Sequence, residues 1–160
     1  MEITCLDNVE FLLTVFPLLA TILASAGGNT LTVEHSIWET DFGPMIVAET
    51  PDHWLARYPD YEGVIVGQVR PGMVDGLWIQ PRSDKRCADQ ASFINHQANS
   101  FLAELRAMDI PLPAHHWGSF RARFAGDAFT GDWNYCGAAQ PSGEWKGVRL
   151  CSTSFELRTN

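Results

Sequence analysis

The sequence is poor in basic residues and lacks the short motifs that mark several large enzyme classes. Its 160 residues include 11 Lys and Arg against 19 Asp and Glu, which gives a formal net charge of −8. This acidic balance argues against nucleic-acid binding through a basic face. Neither the Gly-x-Ser-x-Gly elbow of serine hydrolases nor a glycine-rich phosphate loop occurs. We therefore predict a protein that is not an enzyme and uses no cofactor.

The sequence also lacks an apolar run long enough to span a membrane with ease. Residues 11–23 are almost wholly apolar, but a spanning helix takes about 20 residues. Ala24-Ser25-Ala26 follows, and this order is typical of a secretory signal. The preceding residues carry acidic side chains and no Lys or Arg, so a retained anchor and a buried helix remain alternatives. We predict a signal peptide or membrane anchor over residues 1–26 and an extracytoplasmic domain, secreted or periplasmic, over 27–160. Membrane contact is expected only if the segment is retained.

The four cysteines show none of the close spacing typical of a zinc site, so no metal is expected. An exported domain favours disulfides. We prefer Cys87 with Cys136, because each lies just past a predicted strand that carries a tryptophan. Cys136 with Cys151 is the second choice, since spacing alone does not fix connectivity. Cys5 would leave with a cleaved signal.

A glycine–aromatic repeat is the most informative pattern that is present. Residues two apart on a strand share a face. The ring can then enter a core, while the glycine lets the backbone bend or pack closely. This predicts a small, curled β-structure with the tryptophans in its core. The copies of the repeat are Gly76-Leu77-Trp78, Gly118-Ser119-Phe120, Gly131-Asp132-Trp133 and Gly143-Glu144-Trp145.

Strand-like runs recur about every ten residues from Thr30 to Gln80 and again from Trp117 to Cys151, separated by turn signals. Between them, residues 91–108 carry apolar side chains at helical spacing. We predict a mainly β fold, an antiparallel up-and-down barrel or curled meander of about eight strands. One α-helix over about residues 90–108 is expected within an insertion at 88–113, capping one barrel mouth. Closure of eight strands removes both sheet edges.

The order of the motifs from Trp38 to Arg149 resembles a secreted bacterial β-domain of unknown function. The elements that carry this resemblance are Trp38-x-Thr40-x-Phe42-Gly43, Gly63-x-Ile65-x-Gly67, Gly76-x-Trp78, Arg86-Cys87, Trp117-Gly118-x-Phe120, Phe129-x-Gly131-x-Trp133-x-Tyr135-Cys136 and Trp145-x-Gly147-x-Arg149. More distantly, the chain is similar to avidin-like and lipocalin-like barrels. The lipocalin resemblance implies that Arg149 packs on Trp38, a cation–π contact of about 1 kcal/mol. The regular placement of Trp38, Trp78, Trp133 and Trp145 favours structural roles in the core, and the resemblance implies such a role for Trp38 and Arg149.

Few residues suggest a binding site. His115 and His116 precede Trp117, and adjacent strand residues point to opposite faces, so one histidine at most joins a given site. Trp54 lies beside the turn Pro51-Asp52-His53, outside the repeat, and is expected to be exposed at an interface. Trp54, His115, His116 and Trp117 are therefore the candidate ligand- or partner-binding residues.

These patterns favour an exported, non-enzymatic module that binds a small apolar ligand or a partner protein. The alternative is an accessory or structural subunit of an envelope complex, held in the membrane by the apolar N-terminal segment. A lesser alternative is a small hydrolase that uses His115 or His116 with a nearby carboxylate.

Overall fold

The computed structural model of the chain describes Cys5, Phe16 and residues 30–88, 105–106, 109–111 and 114–158. These residues form eight β-strands and a short 3-10 turn at Pro59–Tyr61. In chain order the strands are β1 Thr30–Thr40, β2 Gly43–Glu49, β3 His53–Tyr58, β4 Gly63–Arg70, β5 Met73–Ile79, β6 Trp117–Ala125, β7 Ala128–Trp133 and β8 Gly143–Arg158.

The eight strands form a closed antiparallel barrel in chain order. Each strand pairs with the next, and β1 closes the barrel by pairing with β8 along its whole length. This ladder contains a register shift between Ile37 and Trp38, a bulge of the kind that bends a strand at a barrel rim. The predicted up-and-down barrel of about eight strands is confirmed.

The predicted inserted helix over about residues 90–108 falls mostly outside the described residues. Of its span the structure describes Leu105 and Arg106, both in α-helical conformation, and the elements assigned among the described residues include no longer α-helix. Leu105 and Ile110 pack on the cluster that contains Val33, Leu55 and Leu77. Those strand residues alternate with the interior ones, so they cover the outer wall. Leu105 and Ile110 therefore lie against the outer wall of the barrel.

The barrel interior is filled by side chains that alternate along every strand. They include Trp38, Trp54, Phe120 and Phe129, each at most 5% exposed. Their rings meet at centroid distances near 6 Å, as Trp38 and Phe129 do at 5.4 Å and Trp54 and Phe120 at 5.9 Å. The middle of the barrel is therefore a packed core.

The glycine–aromatic repeat acts across strands as well as along them. In the β5–β6 ladder Trp78 lies opposite Gly118, and Gly76 lies opposite Phe120. A Cβ atom on Gly118 would lie 2.5 Å from Nε1 of Trp78, so the indole occupies the space that a side chain there would need. The aromatic ring of each repeat thus packs over the glycine of the neighbouring strand, and its own glycine leaves space for the ring of that strand.

Two disulfides tie outlying segments to the barrel. Cys87 is bonded to Cys136, with Cα atoms 5.4 Å apart, which confirms the preferred pair. Cys151 is bonded to Cys5, so the second-choice pair of Cys136 with Cys151 is wrong. Phe16 is fully buried in the outer cluster. Cleavage after Ala26 would remove both Cys5 and Phe16 from the domain.

Candidate functional site

One mouth of the barrel holds a cavity of about 540 Å³. In an up-and-down barrel alternate connections meet at the same end. The β1–β2 turn, the 3-10 turn, the loop after β5 and the segment after β7 therefore surround this mouth. Seven aromatic and four other side chains line the cavity: Phe42, Tyr58, Tyr61, Trp78, Gln80, Arg82, Ser83, Asp84, Trp133, Tyr135 and Trp145. We call the seven rings the aromatic cup.

The floor of the aromatic cup is continuous with the packed interior. Tyr58, Trp78 and Trp145 are buried, whereas Phe42, Trp133 and Tyr135 are half-buried. Tyr61 is 46% exposed and stands at the rim. The cup is thus a shallow apolar bowl, open to solvent on one side and closed by core residues on the other.

The rings of the cup are held in fixed orientations. Trp78 meets Trp133 edge-on at 6.1 Å, and Trp133 meets Tyr135 edge-on at 5.0 Å. Nε1 of Trp78 donates to the carbonyl oxygen of Asn134 at 3.0 Å, and Nε1 of Trp133 donates to the carbonyl oxygen of Glu144 at 3.2 Å. Because both indole N–H groups are satisfied by backbone, these rings present only their apolar surfaces to the cavity.

Polar groups occupy one side of the cavity. Gln80, Arg82, Ser83 and Asp84 come from the loop after β5. The Tyr58 hydroxyl makes a hydrogen bond with the side chain of Gln80, although burial raises the pKa of Tyr58 well above its usual value. The pKa of Tyr135 is also raised, by burial and by the charge of Asp84. Both phenols therefore remain protonated and can donate hydrogen bonds at neutral pH.

The loop after β5 is fixed by the two predicted histidines and a disulfide. Nδ1 of His116 lies 3.1 Å from the carbonyl oxygen of Lys85. The backbone carbonyl of His116 accepts from the N–H of Gln80 at 2.9 Å, and that of His115 accepts from the N–H of Cys87 at 2.7 Å. Together with the Cys87–Cys136 bond, these contacts hold the polar side of the cavity against β6.

His116 also lies close to a hydroxyl, which bears on the hydrolase alternative. Nδ1 of His116 is 3.1 Å from Oγ of Ser83, and that Oγ donates to the carbonyl oxygen of Lys85 at 2.9 Å. In the Nδ1–H tautomer the carbonyl of Lys85 accepts from both the ring and the hydroxyl, and His116 supports the loop. In the Nε2–H tautomer Nδ1 is an acceptor within hydrogen-bond distance of the Ser83 hydroxyl. The ring of His115 is exposed.

Trp54 does not lie where the sequence suggested. It is 1% exposed in the barrel interior, so its expected exposure at an interface is wrong. It lies opposite Gly67 in the β3–β4 ladder, and its indole packs against Phe120 and Phe124 inside the barrel. Trp117 is fully buried on the outer wall. Of the four candidate residues, only His116 reaches the cavity lining, through Ser83.

Sequence reasoning missed the members of the aromatic cup as a site. Tyr58 and Trp133 end β3 and β7, and Trp78 is the last residue but one of β5. These three strands all end at the same mouth of an up-and-down barrel. Because all odd-numbered strands of an up-and-down barrel end at the same mouth, the predicted strand order could have placed these rings together.

The opposite mouth is closed by a charged group. The guanidinium of Arg149 lies 4.9 Å from the centre of the Trp38 ring, so the contact implied by the lipocalin resemblance is present. Arg149 also pairs with Glu34 and, at 3.7 Å, with Asp127. Burial raises the pKa of Glu49, as does the charge of Glu34, which lies directly opposite it on β1. A hollow of about 460 Å³ lies here, lined by Arg149 and Glu49 among others.

Comparison with protein-family models, curated proteins and solved structures finds no match to this chain. In the part of the chain that the structure describes, no group of three or more His, Cys, Asp or Glu side chains could hold a metal ion.

Proposed function

We propose that this protein is an exported, non-enzymatic module that binds a small ligand with an apolar body in its aromatic cup. The observation that carries this proposal is the open 540 Å³ cavity with seven aromatic side chains in its lining. Two disulfides within one small domain support an oxidising compartment outside the cytoplasm. A lipocalin-like relationship belongs to the same proposal and is supported by the Trp38–Arg149 contact.

The size and shape of the cavity support a ligand rather than a packing defect. Ligand sites usually enclose about 300–1,000 Å³ and combine apolar walls with a few placed polar groups. Here the walls are rings fixed by edge-to-face contacts, and the polar groups come from one side of the mouth. Burying the flat face of a ligand against several rings would supply most of its binding free energy, at about 25 cal/mol per Å².

The test is native mass spectrometry of the purified protein, followed by the same measurement on cavity variants. Tyr61→Ala and Tyr135→Ala each remove a wall of the aromatic cup, and we expect them to lose a co-purified small molecule. Leu150→Ala is the matched control, because Leu150 is an exposed apolar residue on β8 that does not line the cavity. A wild-type protein that carries no ligand and binds none from an apolar library would end the proposal.

A membrane-anchored accessory subunit is the second candidate. It requires that the N-terminal segment be retained in the mature protein. The Cys5–Cys151 bond and the buried Phe16 support retention. No helix among the described residues is long and apolar enough to cross a bilayer. The mass of the mature chain and its partition between membrane and soluble fractions test this candidate. A mature N-terminus at Gly27 in the soluble fraction would remove it.

A further inference from the structure

We propose that the ligand of the aromatic cup is a small amphipathic anion, with its apolar body among the rings and its acidic group at Arg82. This inference rests on the proposed function and names the chemical class of the ligand. It comes from the position of one short basic segment in an otherwise acidic chain.

Residues 82–86, which we call the basic loop, concentrate positive charge beside the cavity. Arg82, Lys85 and Arg86 are three of the 11 basic residues of a chain whose net charge is −8. The basic loop contains a single acidic residue, Asp84, and all four charged side chains are exposed. The basic loop is therefore the positive side of a mouth whose β1–β2 and 3-10 connections carry the exposed carboxylates Asp41, Asp60 and Glu62.

Arg82 is the cationic side chain that lines the cavity. A guanidinium offers up to five N–H donors and binds carboxylate, sulfate or phosphate through paired hydrogen bonds. A purely apolar occupant would desolvate this group without replacing its lost hydrogen bonds, which costs free energy. An acidic group on the ligand removes that cost and adds a charge-assisted contact.

The remaining polar groups suit an anion better than a cation. The hydroxyls of Tyr58 and Tyr135 stay protonated, because burial raises the pKa of each, so both can donate to an acidic group. Asp84 is the carboxylate in the lining, and it favours a ligand whose charge sits on the Arg82 side of the mouth. A cation in the cup would face the guanidinium of Arg82.

The basic loop is also rigid, so binding would cost little ordering. Lys85 is tied to His116 and Ser83 through its carbonyl oxygen, and the Cys87–Cys136 bond holds the end of the loop. Groups held in place before binding lose less conformational entropy when the ligand arrives.

A matched pair of dyes separates charge from apolar contact. The anion 1-anilinonaphthalene-8-sulfonate and the neutral 1-anilinonaphthalene share one ring system and differ by the sulfonate group. We expect the intact, disulfide-bonded protein to bind the sulfonate about tenfold more tightly in low salt, measured by fluorescence titration. The preference should shrink in about 1 M sodium chloride, where the screening length is about 3 Å.

Variants assign the preference to Arg82. Arg82→Gln should bring the two dissociation constants together, whereas Arg123→Gln should leave the preference intact. Arg123 is an exposed arginine on the outer face of β6 and serves as the matched control. Tyr135→Ala should weaken binding of both dyes, which places them in the cup. Near-ultraviolet circular dichroism checks that each variant keeps the native fold.

The outcomes separate this inference from the proposed function. Equal affinity of wild-type protein for the two dyes overturns the preference for an anion and leaves an apolar ligand in place. A preference that survives Arg82→Gln overturns the role of Arg82. Failure of both dyes to bind, together with the absence of any other ligand, overturns the proposed function itself.

Discussion

The indole ring of Trp133 lies over Gly143, its partner in the β7–β8 ladder, so that a Cβ atom on Gly143 would be 2.9 Å from Nε1 of the ring. Two residues along, the relation is reversed, with Trp145 opposite Gly131. The β5–β6 ladder repeats the arrangement with Trp78 opposite Gly118. The rings and glycines therefore stabilise the barrel as reciprocal pairs.

Gly118→Ala should destabilise the protein severely. A Cβ atom there would lie 1.6 Å from the carbonyl oxygen of Asn134 as well as against Trp78, so both backbone and ring must move. We expect a loss of about 3 kcal/mol in the free energy of unfolding, measured by urea titration. Gly72→Ala is the control for a glycine with open space around it and a φ of +68°, and it should cost about 1 kcal/mol. Equal losses would contradict the role given to the ring.

Trp54→Ala should behave as a core substitution. Because Trp54 packs against Phe120 and Phe124 inside the barrel, its removal leaves a cavity, and we expect a loss of about 3–5 kcal/mol by denaturant titration. Val148→Ala, at a residue that is 54% exposed, should change stability by less than about 0.5 kcal/mol. A Trp54→Ala variant as stable as the wild type would contradict the core role of this side chain.

Glu49→Gln should stabilise the protein at neutral pH. Burial and the facing Glu34 raise the pKa of Glu49 above its usual 4.5, so the folded state holds this proton more tightly than the unfolded state does. Stability is then lost as the pH rises from 4.5 through the raised pKa, and the neutral amide escapes that loss. The gain in melting temperature over wild type should be present at about pH 7 and vanish below pH 4.5. Glu156→Gln, on an exposed residue of β8, should show no such gain, and a gain for Glu49→Gln that did not depend on pH would contradict the assignment.

The cysteine pairs make separate predictions. Cys87→Ser and Cys136→Ser should each cost about 4 kcal/mol, because the bond closes a loop with a sequence separation of 49. We also expect the mature oxidised protein to contain no thiol that reacts with an alkylating reagent before reduction. One reactive thiol, assigned to Cys151 by peptide mass, would show that Cys5 has been removed.

The barrel was predictable because its signals are local and repeat along the chain. Alternation, turn residues and the glycine–aromatic repeat predicted the strand count and the antiparallel order. Cys87 and Cys136 could be paired because each lies just past a tryptophan-bearing strand, so the order of elements carried the information.

Other features depend on pairings between distant residues and were not predictable from spacing. Trp54 lies in the core against Phe120 and Phe124 of β6, and no repeat on β3 itself indicates this. The apolar spacing of residues 91–108 predicted a helix but not its partner, and Leu105 packs on strands of the outer wall. The aromatic cup is assembled from five separate segments. Its rings could therefore be recognised as one site only from the three-dimensional positions of the strand ends.

The seam between β1 and β8 has a consequence for how the molecule is made. Its ladder and the Cys5–Cys151 bond join parts of the chain separated by as many as 146 positions. Neither can form on a nascent or half-translocated polypeptide, because β8 must first have emerged. The barrel therefore closes after synthesis, through contacts of high sequence separation that fold slowly. Until then the open edge of β1 is exposed to other chains, which makes the interval before closure the time of greatest aggregation risk.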